Sequence, residues 1–513
     1  MEQETANEIM NEALEMAKQL FADGRYSECK PVLTQYLKCK PEHVDEALMH
    51  YALSCHKLGQ NKEALKVFDE MLEREDCSRG DVYNNMSVVH SSVGRFDQAI
   101  SCLESAVEES PEKGMFWGNI GVQYRHKQEY DKATENLLKC IELMPEENKL
   151  LAINNLAACY SENFQLEEGE KWYRKNLTDD NEYSVSHVDL CYNLMLQDRW
   201  KEAWTHHNWR FNHFKQLQRF KELDESEKRW DGEKSLEGKT YLLYCEQGVG
   251  DILMYARYIP ILKKLGCKIV FYCYERLVKL FEHMEEIDEI IELGYNKEVI
   301  EMTSLKDENL VEHDFNSSIM SLPYLLKKYD PFYDKYLDFT ETANLAAYKD
   351  DFKIGVIWAG SPLHPEDSKR SCYLKEFAPI AAIPGVKLFN LQKDARPRKY
   401  AYKEDIVDYA KDVDFNLVDC SEYFEDFEAL AKFINSVDLL ISVDTAPIHL
   451  AGMLERPAWM LGAYNADPRW GINMCRVSDW YPTVTAYQQK ERGNWTEVFE
   501  RVAEDVKNLL SNK

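Results

Sequence analysis

The segment EQGVGD, residues 246–251, places a carboxylate and two glycines at a helix start. An apolar run, 241–245, precedes it and an amphipathic run follows, which predicts a strand, a glycine-rich turn and a helix. Gly248 and Gly250 allow backbone to approach a ligand closely. Asp251 fits a helix-capping role, and the neighbouring glycines favour a functional role as well. The incomplete Gly-x-Gly-x-x-Gly disfavours a nucleotide-binding oxidoreductase.

A second candidate loop combines Trp358-Ala359-Gly360-Ser361 with the later cations Lys369 and Arg370. It follows a predicted strand, and a small-residue turn with two cations suits a diphosphate. A solvated, charged loop is the alternative interpretation of the same residues.

A third candidate site is the segment SVDTAPIHLAG, residues 442–452. Asp444 ends a predicted strand, and Pro447 is expected at the first position of the helix that follows. Thr445 and the N–H groups of that helix start can hold an anion, and the His449 side chain points back towards them. A single histidine on a helix is more often structural, but its combination with Asp444 and Thr445 favours function.

The bulk composition limits the classes of function. The chain has 513 residues with 62 basic and 90 acidic side chains, a net charge of −28. This balance argues against broad binding to nucleic acid or anionic lipid. The fourteen cysteines form no Cys-x-x-Cys pair, no apolar run could span a bilayer, and the N-terminus lacks a signal-peptide core, so we expect a cytoplasmic protein.

The first 215 residues contain a repeat of about 34 residues. One unit carries alternating small and large residues that fit a tetratricopeptide hairpin, namely Trp117, Ile120, Gly121, Tyr124, Ala133, Leu137, Cys140 and Pro145. Subtracting 34 gives a second unit from Tyr83 to Pro111. We predict five or six helical hairpins stacked as a solenoid, serving either as a spacer or dimer scaffold or as a groove for a protein or glycan acceptor.

After about residue 235 short β-type runs alternate with helical ones, which predicts two α/β units with parallel sheets. The predicted strands are 240–246, 268–273, 288–293, 315–320, 352–358, 386–391, 416–419, 438–443 and 457–461. The expected domains are a repeat domain 1–215, a connector 216–239, α/β domains 240–345 and 346–490, and a C-terminal helix 491–513. A ligand would bind at the carboxyl ends of both sheets.

Several segments carry a resemblance to a known group of enzymes. CEQGVGDILMYARYIPIL, KIGVIWAGSP, SVDTAPIHLAGMLERPAWML and DPRWG closely resemble bacterial tetratricopeptide-repeat glycosyltransferases, whose catalytic half belongs with the heptosyltransferases of glycosyltransferase family 9. EAWTHHNWRF, WDGEKSLEGK, MSLPYLL, LFNLQKD and WYPTVTAYQQKERGNW resemble other parts of that group. The resemblance covers about residues 150–510.

The resemblance implies an all-helical repeat solenoid followed by a GT-B fold of two Rossmann-like domains, and inverting, metal-independent sugar transfer from a nucleotide-diphosphate sugar. It implies Asp251 as the general base and Arg370, with Lys369 as the fallback, on the donor phosphate. Further donor contacts are implied for a set of residues on the three loops and on one neighbouring loop, namely Gly248, Gly250, Ser361, Gln392, Asp444, Thr445, Ala446 and His449. Heptosyltransferases have glycine where this chain has Ala446, so the sugar need not be ADP-heptose.

Two interpretations of the whole chain remain. The first is a glycosyltransferase with a protein or glycan acceptor bound through the repeats, which could also form a homodimer. The second is a non-catalytic tetratricopeptide scaffold with a degenerate transferase half. A carboxylate at the first loop suits the first interpretation, because an attacking hydroxyl must lose its proton.

Overall fold

The protein is described here by a computed structural model. It covers residues 2–39, 43–75, 77–214, 217–293, 295–296, 301–302, 310–361, 367–392, 413–420, 423, 425–471 and 477–511. The chain divides into two compact units, with residues up to Trp172 in the first and the described residues from Tyr173 onwards in the second. Among the described helices, none is both long and apolar enough to cross a membrane.

In the described part of the first unit, the regular structure consists of helices arranged in successive pairs. Its helices are α1 Glu2–Ala22, α2 Tyr26–Lys38, α3 Val44–Lys57, α4 Asn61–Leu72, α5 Arg79–Ser92, α6 Phe96–Glu109, α7 Gly114–His126, α8 Tyr130–Leu143, α9 Leu150–Glu162 and α10 Leu166–Asp179, the last of which contains the unit boundary. From α1 to α9, each helix packs on the next as the repeat predicts.

The small residues of the repeat permit close helix packing. A side chain at Gly121 on α7 would lie 2.7 Å from Leu137 Cγ and 3.0 Å from the Ala133 carbonyl oxygen on α8. Ala133 and Leu137 are fully buried. Because Gly121 has no side chain, the two helices can approach closely where they cross, and Leu137 fills the space between them.

The backbone conformation of the turns inside the hairpins repeats more regularly than the sequence does. Each helical pair turns through one residue with a positive φ, and these residues are Gly24, Gly59, Gly94, Gln128, Phe164 and Asp198. Their spacing stays within two residues of 34. Glycine adopts this conformation without strain, so three turns are of the favoured type and three use a side-chain-bearing residue. The repeat thus extends through six hairpins, in agreement with the predicted five or six.

The sixth hairpin belongs to the second compact unit. It consists of α11 Ser184–Leu196 and α12 Trp200–His207, followed by α13 Arg210–His213 and α14 Gln218–Asp224. The Trp204 indole N–H donates to the Tyr329 carbonyl at 2.9 Å, and the ring of Trp200 packs edge-on against Trp480 at 5.7 Å. The boundary between the two compact units falls after Trp172, because these aromatic side chains pack on the α/β half, while the expected limit of the repeat domain at residue 215 stays a prediction.

The second unit contains two parallel sheets. The first has the order β3-β2-β1-β6, and the second has the order β12-β11-β10-β7-β8-β9. The strands are β1 Thr240–Tyr244, β2 Lys268–Tyr274, β3 Glu289–Leu293, β4 Tyr295–Asn296, β5 Glu301–Met302, β6 Phe315–Ser318, β7 Phe352–Ile357, β8 Val386–Asn390, β9 Val418–Asp419, β10 Leu439–Val443, β11 Ala458–Gly462 and β12 Val484–Gln488. All nine predicted strands are present, whereas β12 and the two-residue β4–β5 hairpin were not predicted.

Helices flank both sheets, as expected for parallel strands. They are α15 Val249–Tyr255, α16 Ile259–Lys263, α17 Val278–Phe281, α18 Leu322–Leu325, α19 Asp367–Arg370, α20 Ala378–Ala381, α21 Phe427–Ile434, α22 Ala446–Met453 and α23 Thr496–Ser511. In the second sheet the strand order reverses between β7 and β10, so the loops after these two strands diverge and leave a crevice at their carboxyl ends.

Candidate functional site

A cleft of about 680 Å³ lies between the carboxyl ends of the two sheets, at the crevice beside β7 and β10. Ten of the eleven sequence-selected residues line it, namely Gly248, Gly250, Asp251, Ser361, Arg370, Gln392, Asp444, Thr445, Ala446 and His449. The remaining residue, Lys369, is half-buried but is not part of the lining. The cleft lining therefore agrees with the order expected from the sequence, in which Arg370 came first and Lys369 was the fallback.

Asp251 is held at both carboxylate oxygens. Helix α15 begins after Gly248, so Asp251 is its third residue, and its Oδ2 accepts the Gly248 backbone N–H at 3.0 Å. Its Oδ1 accepts a hydrogen bond from Arg469 Nη1, on a loop of the second sheet. The capping role expected from the sequence is thus present, and the same carboxylate also forms an ion pair across the cleft.

The two glycines of the first loop make room for side chains of the protein. A side chain at Gly250 would lie 2.9 Å from His449 Cδ2, where α15 packs against α22. A side chain at Gly248 would lie 3.0 Å from Asp251 Oδ2. The sequence attributed both glycines to a close approach of ligand, whereas the neighbours that require them are His449 and Asp251.

The second loop is organised around Arg370. A side chain at Gly360 would lie 2.5 Å from Arg370 Nη2, so this glycine provides the space that the guanidinium occupies. Arg370 Nη1 donates to the Asp444 carbonyl at 3.1 Å and thereby connects the loops after β7 and β10. Asp367, which is buried, accepts from Ser371 Oγ at 2.9 Å and lies 3.6 Å from Arg370 Nε. Arg370 is therefore a fixed cation on the cleft wall.

Gln392 supports the same wall from the loop after β8. Its Oε1 accepts the backbone N–H groups of Trp358 at 3.2 Å and Ala359 at 2.9 Å. These contacts fix the turn that leads to Ser361, whose side chain is exposed at the cleft. Gln392 therefore has a clear structural role in addition to its position in the lining.

The third loop begins α22 at the cleft. Thr445 is its N-terminal flanking residue, and the Thr445 Oγ1 donates to the Val443 carbonyl at 3.2 Å. Ala446 is the first helical residue and Pro447 the second, one position later than predicted. Because proline has no N–H, this helix start offers fewer donors to an anion than the sequence argument assumed.

His449 is buried behind this helix start. Its Nδ1 lies 3.1 Å from Tyr481 Oη, and its ring stacks on Trp470 with 5.2 Å between centroids. Burial, aided by the positive charge of Arg469, lowers the pKa of His449 to about 3. Although its Nε2 lies 4.0 Å from Asp444 Oδ1, the pair carries no mutual charge attraction near pH 7 because the ring is neutral.

The carboxylates of the cleft differ in their proton affinity. Burial, and then the negative charge of Asp467, raise the pKa of Asp444 above its usual range, which Arg370 and Arg469 offset only in part. Burial acts in the same direction on Asp467, but the charge and hydrogen bonds of Arg469 lower its pKa below the usual range. The pKa values of these two neighbouring carboxylates are thus shifted in opposite directions, which is frequent in functional sites.

Arg469 is the central residue that sequence reasoning missed. Its Nε and Nη2 donate to Asp467 Oδ1 and Oδ2 at 2.8 and 2.7 Å, while Nη1 binds Asp251. Burial alone would lower the pKa of Arg469, but Asp467 and Asp251 together raise it above its usual value. The DPRWG motif was the available signal, since it combines an acid and an arginine on a tight turn.

Glu246, at the start of the opening motif, serves the architecture. It is fully buried, and its Oε1 accepts from Arg210 Nε at 2.8 Å and from Ser318 Oγ at 2.5 Å. Arg210 also donates to Ser321 Oγ at 2.9 Å. This ion pair connects α13 to the first sheet directly before the glycine turn.

The cleft also has apolar walls. The larger apolar side chains of its lining include Ile357, Leu391, Phe427 and Leu430. Arg276, in the 3-10 helix that follows β2, places its guanidinium carbon 5.3 Å from the centre of the Phe427 ring. A ligand that combines a flat apolar group with anionic groups matches this composition.

One group of side chains in the described part of the chain is spaced closely enough to share a metal ion, and it is not in the cleft lining. It consists of His283, Glu341 and Glu428. Lys432 Nζ already lies 3.0 Å from Glu341 and 3.4 Å from Glu428, so an ammonium group neutralises these acids.

Comparison with known proteins identifies the repeats. The tetratricopeptide-repeat family matches residues 80–113, which contain α5 and α6. Protein FlbA of Caulobacter vibrioides is 23% identical over 450 residues, which cover 84% of this chain and 73% of FlbA. Photosystem I assembly protein Ycf3 of Synechococcus sp. (strain WH7803) is 29% identical over 86 residues, or 16% of this chain and 50% of Ycf3.

Similar solved structures also concern part of the chain. The crystal structure of the APC/C hetero-tetramer Cut9-Hcn1 matches with 14% identity and a TM-score of 0.34, covering 39% of each chain. A thermophilic TPR protein of Thermus thermophilus matches with 24% identity and a TM-score of 0.31, covering 36% of this chain and 99% of that one.

Proposed function

We propose that the second unit is a glycosyltransferase of the GT-B type, which moves a sugar from a nucleotide-diphosphate sugar to a protein or glycan acceptor. The observation that carries the proposal is the convergence of ten sequence-selected residues, from separate loops of two parallel sheets, on one cleft. Such a crevice is where open α/β sheets bind ligands.

The roles follow from the positions of the charged groups. Arg370, on the second sheet, is the fixed cation for the donor diphosphate, and the apolar side chains beside it suit the nucleoside. Asp251, on the first sheet, is the base that accepts the proton of the attacking hydroxyl. The hydroxyl oxygen bonds to the anomeric carbon from one side while the diphosphate leaves from the other, so the reaction inverts the configuration.

The charge of the diphosphate would be met by arginine side chains and the start of α22, so we propose that no divalent metal is required. We also propose that the repeats of the first unit bind the acceptor. A protein that begins at Tyr173 should retain nucleotide binding and lose efficient transfer to a large acceptor. A protein that begins after Arg210 would lack this arginine and leave the buried Glu246 without its ion-pair partner.

A non-catalytic scaffold is the competing proposal. It is favoured by the contacts of Asp251, because a carboxylate that caps a helix and pairs with Arg469 has a sufficient structural reason to be there. The two proposals differ in whether the cleft turns over a nucleotide-sugar.

The deciding experiment offers a panel of nucleotide-diphosphate sugars to the purified chain, with and without EDTA, and measures release of nucleoside diphosphate and thermal stabilisation. Arg370→Ala and Lys369→Ala form a matched pair, since only the first residue lines the cleft. A charged hydrogen bond to phosphate contributes about 1.5–3 kcal/mol, so Arg370→Ala should weaken binding at least about tenfold. Equal effects of both variants, or no turnover with any donor, would contradict the proposal.

A further inference from the structure

The ion pair between Asp251 and Arg469 crosses the cleft that the proposed donor must enter. Both side chains line the cleft and both are only 16% exposed, so water and salt screen the pair weakly. A carboxylate oxygen that already accepts a hydrogen bond from a guanidinium is less available to an attacking hydroxyl.

The remaining contacts of the two partners permit an exchange. Arg469 is fixed to Asp467 through Nε and Nη2, and its backbone carbonyl accepts the Trp480 indole N–H at 2.8 Å. Asp251 keeps the Gly248 N–H hydrogen bond whether or not Nη1 is present. Only the hydrogen bond from Arg469 Nη1 to Asp251 needs to be replaced, and the contacts just described can all be kept.

A diphosphate is the natural competitor for that donor. Guanidinium groups bind phosphate oxygens as readily as carboxylates, and two anions on one N–H donor repel each other. We infer that Arg469 is a positioning residue that keeps Asp251 ion-paired until a diphosphate oxygen takes its Nη1 donor. This inference rests on the proposed function and adds an order to it, in which the donor binds before Asp251 acts.

The exchange has a defined consequence for the transfer step. Once Nη1 binds the diphosphate, Asp251 loses its cation while the helix cap still orients it. The acceptor oxygen then forms a bond to the anomeric carbon, the bond from that carbon to the diphosphate oxygen breaks with its electron pair, and the hydroxyl proton moves to Asp251. Arg469 stabilises the charge that develops on the leaving diphosphate.

The test is a thermodynamic cycle measured by calorimetry on the full-length chain with inorganic pyrophosphate. If Asp251 competes for Arg469, Asp251→Asn removes the competitor and should tighten pyrophosphate binding about tenfold, or about 1.4 kcal/mol. In an Arg469→Gln background the same substitution should change the affinity less than about twofold, since the contested donor is gone. Arg469→Lys retains the charge and should restore at least about a threefold gain, which guards against a disturbed loop in the glutamine variant.

Asp426 supplies a control for a general effect of charge. It lines the same cleft, pairs with Lys279 at 2.8 Å and caps α21 by accepting the Ala429 N–H, a role that asparagine can retain. Asp426→Asn should tighten pyrophosphate binding less than about threefold. An equal gain at Asp426 and Asp251, or a gain that persists without Arg469, would overturn the exchange and leave the proposed function standing. No binding of pyrophosphate to the wild-type chain would overturn both.

Discussion

Replacing His449 with asparagine should make the stability of the protein less dependent on pH. His449 has a pKa of about 3 in the folded protein, against the usual 6.5 in an unfolded chain. The unfolded chain therefore binds more protons than the folded one between these values, so His449 lowers the free energy of unfolding as the pH falls. Asparagine places its amide nitrogen near the position of Nδ1 and can still contact Tyr481.

The size of this destabilisation follows from the folded and unfolded pKa values of His449. At pH 7 an unfolded histidine is mostly neutral and the penalty is only about 0.2 kcal/mol, whereas at pH 5 it is about 2 kcal/mol. Because the folded value lies well below 5, the penalty at pH 5 is set almost entirely by the unfolded histidine. The side chain is 6% exposed, so screening by solvent does not reduce this figure substantially.

Urea unfolding of the wild type and His449→Asn at pH 7, 6 and 5, followed by tryptophan fluorescence, measures the effect. The difference in unfolding free energy should move by about 2 kcal/mol in favour of the variant between pH 7 and pH 5. The pKa of Asp444 is raised, so Asp444 increases the free energy of unfolding as the pH falls. Because Asp444 is present in both proteins, its contribution largely cancels in the difference between them. A difference that stays constant across the three pH values would show that His449 is not held neutral by burial.

Other substitutions separate structural from catalytic contributions. Asp251→Asn should reduce transfer at least about a hundredfold in single-turnover assays while the protein stays folded. Both Asp251→Asn and Asp251→Ala lose the ion pair with Arg469, and the alanine variant should lose about 1 kcal/mol more because nothing accepts the Gly248 N–H; normal transfer by the asparagine variant would exclude Asp251 as the base. Gly250→Ala should cost about 1–2 kcal/mol in urea unfolding despite the helix propensity of alanine, because its Cβ meets His449, and a gain in stability would contradict this contact. Arg210→Ala should cost about 3–5 kcal/mol because it leaves Glu246 buried and unpaired, and a loss below about 1 kcal/mol would show that the carboxylate is protonated or rehydrated.

Sequence patterns predicted the strands well because parallel strands buried on both faces appear as short apolar runs. β12 was missed because its sequence, VTAYQ, is not the short aliphatic run that marks the other strands, as befits a strand at the edge of the sheet. The boundary at residue 215 followed the helical period, which continues through α12. The boundary between compact units depends on tertiary packing. The repeat period gives no information on the contacts that Trp200 and Trp204 make with the α/β half.

The candidate site was predicted to the extent that loops at strand ends converge. The resemblance preferred Arg370 and kept Lys369 as the fallback, and the structure supports that order because Arg370 lines the cleft and its guanidinium fills the space beside Gly360. Arg469 was missed because a cation between two carboxylates is recognisable only when chain segments more than two hundred residues apart are brought together.

The contacts of the first glycine loop explain why it carries an acid where a phosphate would need bare N–H groups. The Gly248 N–H already donates to Asp251, and the space beside Gly250 is filled by His449, so this loop is not arranged as a phosphate cradle. The fixed cation Arg370 and the start of α22 instead belong to the second sheet. Under the proposed function, the carboxylate of the first loop keeps the donor diphosphate away from the acceptor side, and its ion pair with Arg469 joins the two sides of the cleft.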